Sequence, residues 1–270
     1  MSIDVEDYFH VAAFETTIDR ESWSGLPCRV ERNVSRILEM FSEESVRSTF
    51  FCLAWVAERF PGLIREIVAG GHELASHGCD HVPIFRQSPD EFRADAARSK
   101  AVLEEIGGVR VKGYRAPSFS IISMTRWAFD IIEDCGYTYS SSVYPIRHDY
   151  YGFPDAPRFN FVPAGTNLLE CPQTTLQLAG LRLPCGGGGY FRILPYSAFA
   201  WAVRRCNRVE KQPFFFYLHP WEIDVHQPRV RNAPLKSRLR HYNNLSKTEP
   251  RLRRLLQDFS WDRFDRVFEV

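Results

Sequence analysis

Short apolar runs alternate with helix-periodic segments through the first half of this chain, and that alternation restricts its fold more than any other feature. Residues 1–5 read as a strand leading into a polar loop. Val34, Ile37, Leu38 and Phe41 recur at helical spacing over residues 34–42. Residues 48–53 read as a buried strand, and residues 55–60 begin a helix broken at Pro61. Residues 62–70 form a second helical stretch, followed by a short strand at 72–76. Residues 90–106 are an amphipathic helix with Pro89 as a start signal and Gly107-Gly108 as a stop. Another strand at 113–115 precedes a helix over 124–135 that Gly136 ends. This alternation of strand and helix predicts a parallel sheet, open or closed into a barrel.

The chain has 270 residues, 44% of them hydrophobic, enough for one large core. Lys+Arg is 34 against 33 for Asp+Glu, so no net charge recruits nucleic acid or an anionic membrane. The tail is locally basic, with Arg229, Arg231, Lys236, Arg238, Arg240, Lys247, Arg251, Arg253 and Arg254. A solvated helical face accounts for that stretch, an anionic sugar or polymer partner being the alternative. Seven scattered cysteines without a Cys-x-x-Cys argue against a disulfide framework or zinc knuckle and lead to the expectation of a reducing, cytoplasmic location. No apolar run approaches the length of a membrane span. A first strand this close to Met1 is expected to have residues upstream of it.

The middle, about residues 143–191, is rich in Pro, Gly and aromatic residues, with strands expected at 168–171 and 176–183. The glycine run 186–189 lacks a following Lys or Ser/Thr and so is not a phosphate loop. It reads as a flexible turn that lets Tyr190 or Arg192 approach a ligand. Residues 214–218 (FFFYL) are the last strong strand. Residues 1–222 are expected to form the main domain, with 223–270 an extension packed on it, helical around 249–258.

Asp4, His77, Arg115 and His219 each fall at the end of an expected strand, the face that carries the chemistry in barrels. His77 and His81 lie four apart in Ser76-His77-Gly78-Cys79-Asp80-His81. Two imidazoles and one carboxylate make a three-ligand metal site with a position left for water, the arrangement of a hydrolytic centre. His72-Glu73 is not part of a His-Glu-x-x-His motif, because the next histidine is one residue too far. Asp4, Glu6 and Asp7 crowd three carboxylates together, and a divalent cation would relieve their repulsion. An acidic loop capping a helix is the simpler alternative. Under the metal reading Asp7 is taken as the ligand and Asp4 as the general base, with Glu6 competing for the ligand role. Arg115, in a stiff Arg-Ala-Pro loop, is placed to pin the Asp4 carboxylate and keep it ionised. His219, with an ordinary pKa of about 6.5, suits a general acid. Asp134 and Glu222 are the candidates to hold its tautomer.

These residues resemble the motifs of the NodB-homology polysaccharide deacetylases, carbohydrate esterase family four. Residues 2–7 resemble the first motif, which carries base and metal aspartates, with the usual pair spread here to Asp4 and Asp7. His77 and His81 match the metal-binding histidine motif, with Gly78 where a hydroxyl residue is usual. Residues 115–119 are similar to the Arg-x-Pro-x-aromatic groove motif, and Leu218-His219 to the final Leu-x-His motif. The aspartate–tryptophan motif is not recognisable; Asp134-Cys135-Gly136-Tyr137 only partly resembles it. Residues 4–10, 187–192 and 240–244 look like a bacterial subgroup found in exopolysaccharide systems with exosortase (PEP-CTERM) sorting.

The resemblance implies an α/β fold, a distorted barrel of about seven strands. It implies zinc-dependent removal of N-acetyl groups from an amino-sugar glycan, in association with a polysaccharide synthesis complex. Asp7, His77 and His81 would hold the metal. Asp4 would be the base, assisted by Arg115, and His219 the acid. A backbone N–H near Phe119 would face the oxyanion, and Tyr190 and Trp221 would stack on sugar rings beside Arg192. The rival expectations are an amidohydrolase of the same fold, acting on a small cyclic amide or a peptidoglycan sugar, and a carbohydrate-binding protein without activity.

Overall fold

The computed structural model describes residues 1–147 and 151–270. The chain runs β1 (Ser2–Val5), α1 (Val30–Glu43), β2 (Thr49–Cys52), α2 (Ala54–Arg59), α3 (Pro61–Ala69), β3 (Glu73–Ser76), α4 (Pro89–Gly107) and β4 (Gly113–Tyr114). It continues through α5 (Ala128–Asp134), β5 (Tyr139–Ser140), β6 (Leu169–Glu170), β7 (Thr175–Leu178), β8 (Leu181–Pro184), α6 (Gly188–Ile193) and α7 (Tyr196–Arg205). After β9 (Tyr217–Leu218) come α8 (Leu235–Tyr242), α9 (Thr248–Asp258) and α10 (Phe264–Val267). Seven strands form one sheet in the order β6-β5-β4-β3-β2-β1-β9, and every pair in it is parallel. The sheet is a distorted β/α barrel, as the resemblance implies, and its parallel pairing is what the alternation of elements predicts. Parallel strands bring all their carboxyl ends to one edge, which gathers Asp4, His77, Arg115 and His219.

The pleat explains how each strand serves two environments. Ile3, Val5, Phe50, Cys52 and Leu74 belong to the large core shared with the helices. Their neighbours point the other way: Phe51, Ala75 and Tyr139 form a separate inner cluster with Cys171, Phe215 and Phe264. Asp4 is in register with Phe51, on that inner face. The last helix, α10, reaches this cluster from the far end of the chain. Phe264 stacks on Tyr139 with ring centroids 5.8 Å apart, and its amide donates to Thr49 Oγ1 at 2.8 Å.

The helices follow the expected signals. In α1, Val30, Val34, Ile37, Leu38 and Phe41 line the buried side. Ser88 and Glu91 form a capping box before α4, which ends at Gly108 with φ 65°. Residues 176–183 are not one strand. β7 and β8 are the two arms of an antiparallel hairpin outside the main sheet. Its turn residues, Ala179 and Gly180, both have positive φ, 48° and 80°. Such turns normally announce themselves as Asn-Gly or Asp-Gly, and an alanine hides the signal. The glycine run is likewise not a free turn, because Gly188 and Gly189 open α6. No helix among the described residues is long and apolar enough to cross a membrane.

Candidate metal centre and its flanking acid and base

β1 ends at Val5, and the strand alternation carries two carboxylates inward, Asp4 and Glu6. Asp7 turns the opposite way. Its carboxylate accepts from the amides of Tyr8 at 2.8 Å, Arg29 at 2.5 Å and Val30 at 2.8 Å, and from the thiol of Cys28 at 3.1 Å. It therefore caps the start of α1, where an anion is favoured. Asp7 was expected to be the carboxylate beside the histidines, and the structure corrects that expectation: Glu6 occupies the place. The simpler reading of the acidic loop, a helix cap, holds for Asp7 alone.

Potential ligand atoms of Glu6, His77 and His81 all lie within 4.8 Å of one another, and all three residues are buried. His77 follows β3 directly. Its Nδ1 is 2.8 Å from the carbonyl of Arg115, which can only accept, so Nδ1 bears the proton and Nε2 is left as a lone pair. Burial lowers the His77 pKa to about 4, so the imidazole is neutral, as a ligand must be. Gly78 and His81 both have positive φ, 78° and 54°, and this double left-handed turn brings the second imidazole back towards the first. The two ring centroids are 5.3 Å apart. A Cβ at residue 78 would lie 2.9 Å from Asp95 Oδ2, which accounts for a glycine there.

Glu6 Oε1 accepts from the indole of Trp221 at 3.3 Å. Glu6 Oε2 is buried and 2.9 Å from His81 Nε2, yet the geometry there is not that of a hydrogen bond. Burial opposes ionisation of Glu6, but His81 and His219 outweigh it and hold the carboxyl well below the usual carboxylate range. An ionised oxygen with no proton donor, facing two imidazoles, fits a divalent cation, and these three side chains are the ones that would hold it.

Asp4 stands beside this cluster. Its Oδ1 takes Arg115 Nη1 at 2.5 Å, and its Oδ2 lies 4.0 Å from His219 Nε2. Arg115 is completely buried. It also donates to Ser2 Oγ at 2.8 Å, Ser141 O at 3.2 Å and Ser141 Oγ at 3.0 Å, with its guanidinium carbon 4.0 Å from the centre of the Phe51 ring. So many fixed donors allow Asp4 little freedom to swing.

His219 follows β9 and keeps 22% of its side chain accessible. Nδ1 is 2.8 Å from Glu222 Oε1, and Nε2 is 3.6 Å from Glu6 Oε1. Burial works against the imidazolium, but Glu6, Glu222 and Asp4 outweigh it and raise the pKa to about 9. The ring thus carries a proton towards the centre at neutral pH. Of the two candidates for its partner, Glu222 fills the role. Asp134 is on the surface, paired with Arg93 at 3.0 Å.

The residues expected to touch sugar are arranged differently. Trp221 is buried, stacked on His219 at 5.2 Å and on His241 at 4.0 Å, so no face is free for a ring. Arg192 is buried against Glu222 at 2.8 Å. Phe119 is buried, and its own amide donates to Ala116 O at 3.0 Å. Tyr190 alone of the four remains partly accessible. Two residues carry more than the sequence reading gave them, Glu6 and Glu222. For Glu6 the signal was present, since residues 4 and 6 of a strand share a face.

Glu170 supports the edge of the site from β6. Its Oε1 accepts from the amides of Ser142 at 2.9 Å and Val143 at 2.8 Å, while Oε2 is buried without a partner. Burial raises its pKa from 4.5 to about 7. Between those values the unfolded chain has released a proton that the folded chain keeps. The contribution of Glu170 to stability is therefore complete below the lower value and lost as pH rises through the upper one. Glu170→Gln mimics the protonated form, so its Tm relative to wild type should rise by about a few degrees between pH 5 and pH 8. A difference that does not change with pH would contradict this.

Residues 16–140 match the family model described as polysaccharide deacetylase, and residues 141–269 match one described as a domain of unknown function (DUF3473). Over 94 residues the chain is 29% identical to the peptidoglycan-N-acetylglucosamine deacetylase of Bacillus cereus, covering 34% of each protein. Over 82 residues it is 30% identical to the chitooligosaccharide deacetylase of Bradyrhizobium, covering 30% of this chain and 37% of that one. The chain thus spans about a third of the length of these curated relatives. A solved structure from Mycobacterium smegmatis, described as a polysaccharide deacetylase, has the same fold. It superposes with a TM-score of 0.62 at 20% identity, covering 100% of this chain and 87% of that one.

Proposed function

We propose that this chain, whose residues 16–140 match the polysaccharide deacetylase family model, is a metal-dependent hydrolase that removes N-acetyl groups from an amino-sugar glycan. The observation that carries this reading is the placement of three groups around one point. The His77–His81 pair with Glu6 can hold a cation, Asp4 is fixed by Arg115 at its side, and His219 faces both carboxylates. A divalent ion, zinc being the expected one, would polarise the acetyl carbonyl and lower the pKa of a water to about 7. Asp4 would accept a proton from the attacking water as the water oxygen bonds to the carbonyl carbon. His219 passes its Nε2 proton to the amide nitrogen as the carbon–nitrogen bond breaks, and acetate and a free sugar amine leave. Arg115 holds the Asp4 carboxylate in place throughout.

The finer reading is a cytoplasmic role in exopolysaccharide synthesis, alongside a polysaccharide synthesis complex. Its support is the subgroup-like segments 4–10, 187–192 and 240–244 and the scattered cysteines. The test is acetate release by zinc-loaded protein from a panel of N-acetylated chito-oligosaccharides, peptidoglycan fragments and exopolysaccharide, with a small cyclic amide as control. Acetate from at least one glycan and no opening of the cyclic amide is expected. Metal binding without turnover on any glycan would refute the activity.

A further inference from the structure

We propose that the second half of the chain serves the site as a positioning relay, in which Arg192, anchored on the backbone of residues 240–243, fixes Glu222, and Glu222 fixes the imidazole of His219. This rests on the reading of His219 as the proton donor.

The relay begins at the ring. A carboxylate only accepts, so the 2.8 Å contact of His219 Nδ1 with Glu222 Oε1 puts a proton on Nδ1 and aims Nε2 at Asp4 and Glu6. The same oxygen accepts the His219 backbone amide at 3.1 Å, which fixes the ring to its own main chain. Glu222 Oε2 takes Arg192 Nε at 2.8 Å. The remaining donors of Arg192 go to main-chain carbonyls: Nη1 to His241 at 2.8 Å and Asn243 at 2.7 Å, Nη2 to Arg240 at 3.2 Å. The contacts are returned, since Asn244 Nδ2 donates to Arg192 O at 3.0 Å. A buried ion pair supports a geometry when its other hydrogen-bonding positions are filled, and here four of the five Arg192 N–H donors have partners.

Two further observations point the same way. Trp221 lies between His219 and His241, with interplanar angles of 16° and 14°, so the segment that anchors Arg192 also backs the ring of the acid. A Cβ on Gly188 would lie 2.3 Å from Glu222 Oε1. Glycine at the start of α6 is thus the space in which Glu222 sits, and this gives the glycine run and Arg192 a joint purpose. Residues 188, 192, 219, 222 and 240–243 all fall within the region of unknown function, 141–269. Residues 1–140 supply the candidate ligands and the base; the second half supplies the acid and holds it.

Full-length zinc-loaded variants test this. Glu222→Gln offers one accepting oxygen where His219 and Arg192 need two, and Gly188→Ala displaces Glu222 while leaving every charge in place. Each is expected to fold and keep its zinc. Each should lower kcat about 10–100-fold, the usual cost of losing an outer partner of a site group, with KM essentially unchanged. The ring ¹⁵N and ¹H resonances of His219 should show Nδ1 protonated and protected from exchange in wild type, and altered in both variants. Arg192→Lys, which keeps the charge but lacks the fork, should reproduce the kcat loss. Wild-type kcat and unchanged His219 ring signals in folded Glu222→Gln or Gly188→Ala would overturn the relay. If Glu222→Gln does not fold, Gly188→Ala decides. If wild type releases no acetate from any glycan, the functional reading falls, and the ring signals decide the relay by themselves.

Discussion

His77→Ala and His81→Ala each lose the bound metal and, with it, acetate release. Each removes one of the three candidate ligand atoms found among the described residues, in a cluster spanning 4.8 Å. The loss of affinity should exceed the about 10–100-fold that removal of an outer-shell partner costs. Glu6→Gln should behave the same way, because a neutral amide is a poor ligand and Glu6 is the carboxylate that faces both rings. Asp7→Asn is the informative contrast. Asp7 takes four donors, three of them from residues 28–30 at the start of α1, so its loss should lower thermal stability while the folded fraction keeps its metal. Elemental analysis of the purified variants, with thermal melts, separates the two. Full occupancy in His77→Ala or His81→Ala would remove the assignment.

Asp4→Asn keeps the metal and loses about 10²–10⁴-fold in turnover, the usual cost of removing a general base. The amide cannot take a proton, yet it still offers Arg115 an oxygen where Asp4 Oδ1 stood at 2.5 Å, so the buried guanidinium is not stranded. Acetate release is measured per metal-loaded molecule, so that partial unfolding does not imitate a catalytic defect. Loss of metal from Asp4→Asn with Glu6→Gln still loaded would exchange the roles of the two carboxylates.

How legible the site was depended on whether its residues obey a local rule. The strand ends that carry Asp4, His77, Arg115 and His219 follow from hydrophobic alternation, and β1, β3, β4 and β9 deliver them as that alternation predicts. Which carboxylate stands beside the histidines is open in the sequence between Asp7 and Glu6, and the pleat decides which one points inward. A strand ending at Val5 puts residues 4 and 6 on one face and 7 on the other. Trp221, Arg192 and Phe119 have side chains suited to sugars, but what surrounds a side chain is set by contacts far away in sequence. Arg192 meets Glu222 thirty residues on and the carbonyls near residue 241 some fifty residues on, and no periodicity marks such pairs. The β7–β8 hairpin escaped notice for a smaller reason, an alanine at a turn position with positive φ.

The central claim is that Glu6, His77 and His81 hold one metal ion on which deacetylation depends. The most direct measurement strips the protein with a chelator, returns zinc in sub-stoichiometric steps, and follows acetate released from N-acetylated chito-oligosaccharides, or from whichever glycan the panel identifies. The account predicts no acetate from the stripped protein, a linear rise with added zinc, a plateau at one equivalent, and no recovery in Glu6→Gln at that zinc concentration. Acetate release that survives removal of the metal, or full recovery in Glu6→Gln at one equivalent, would contradict it.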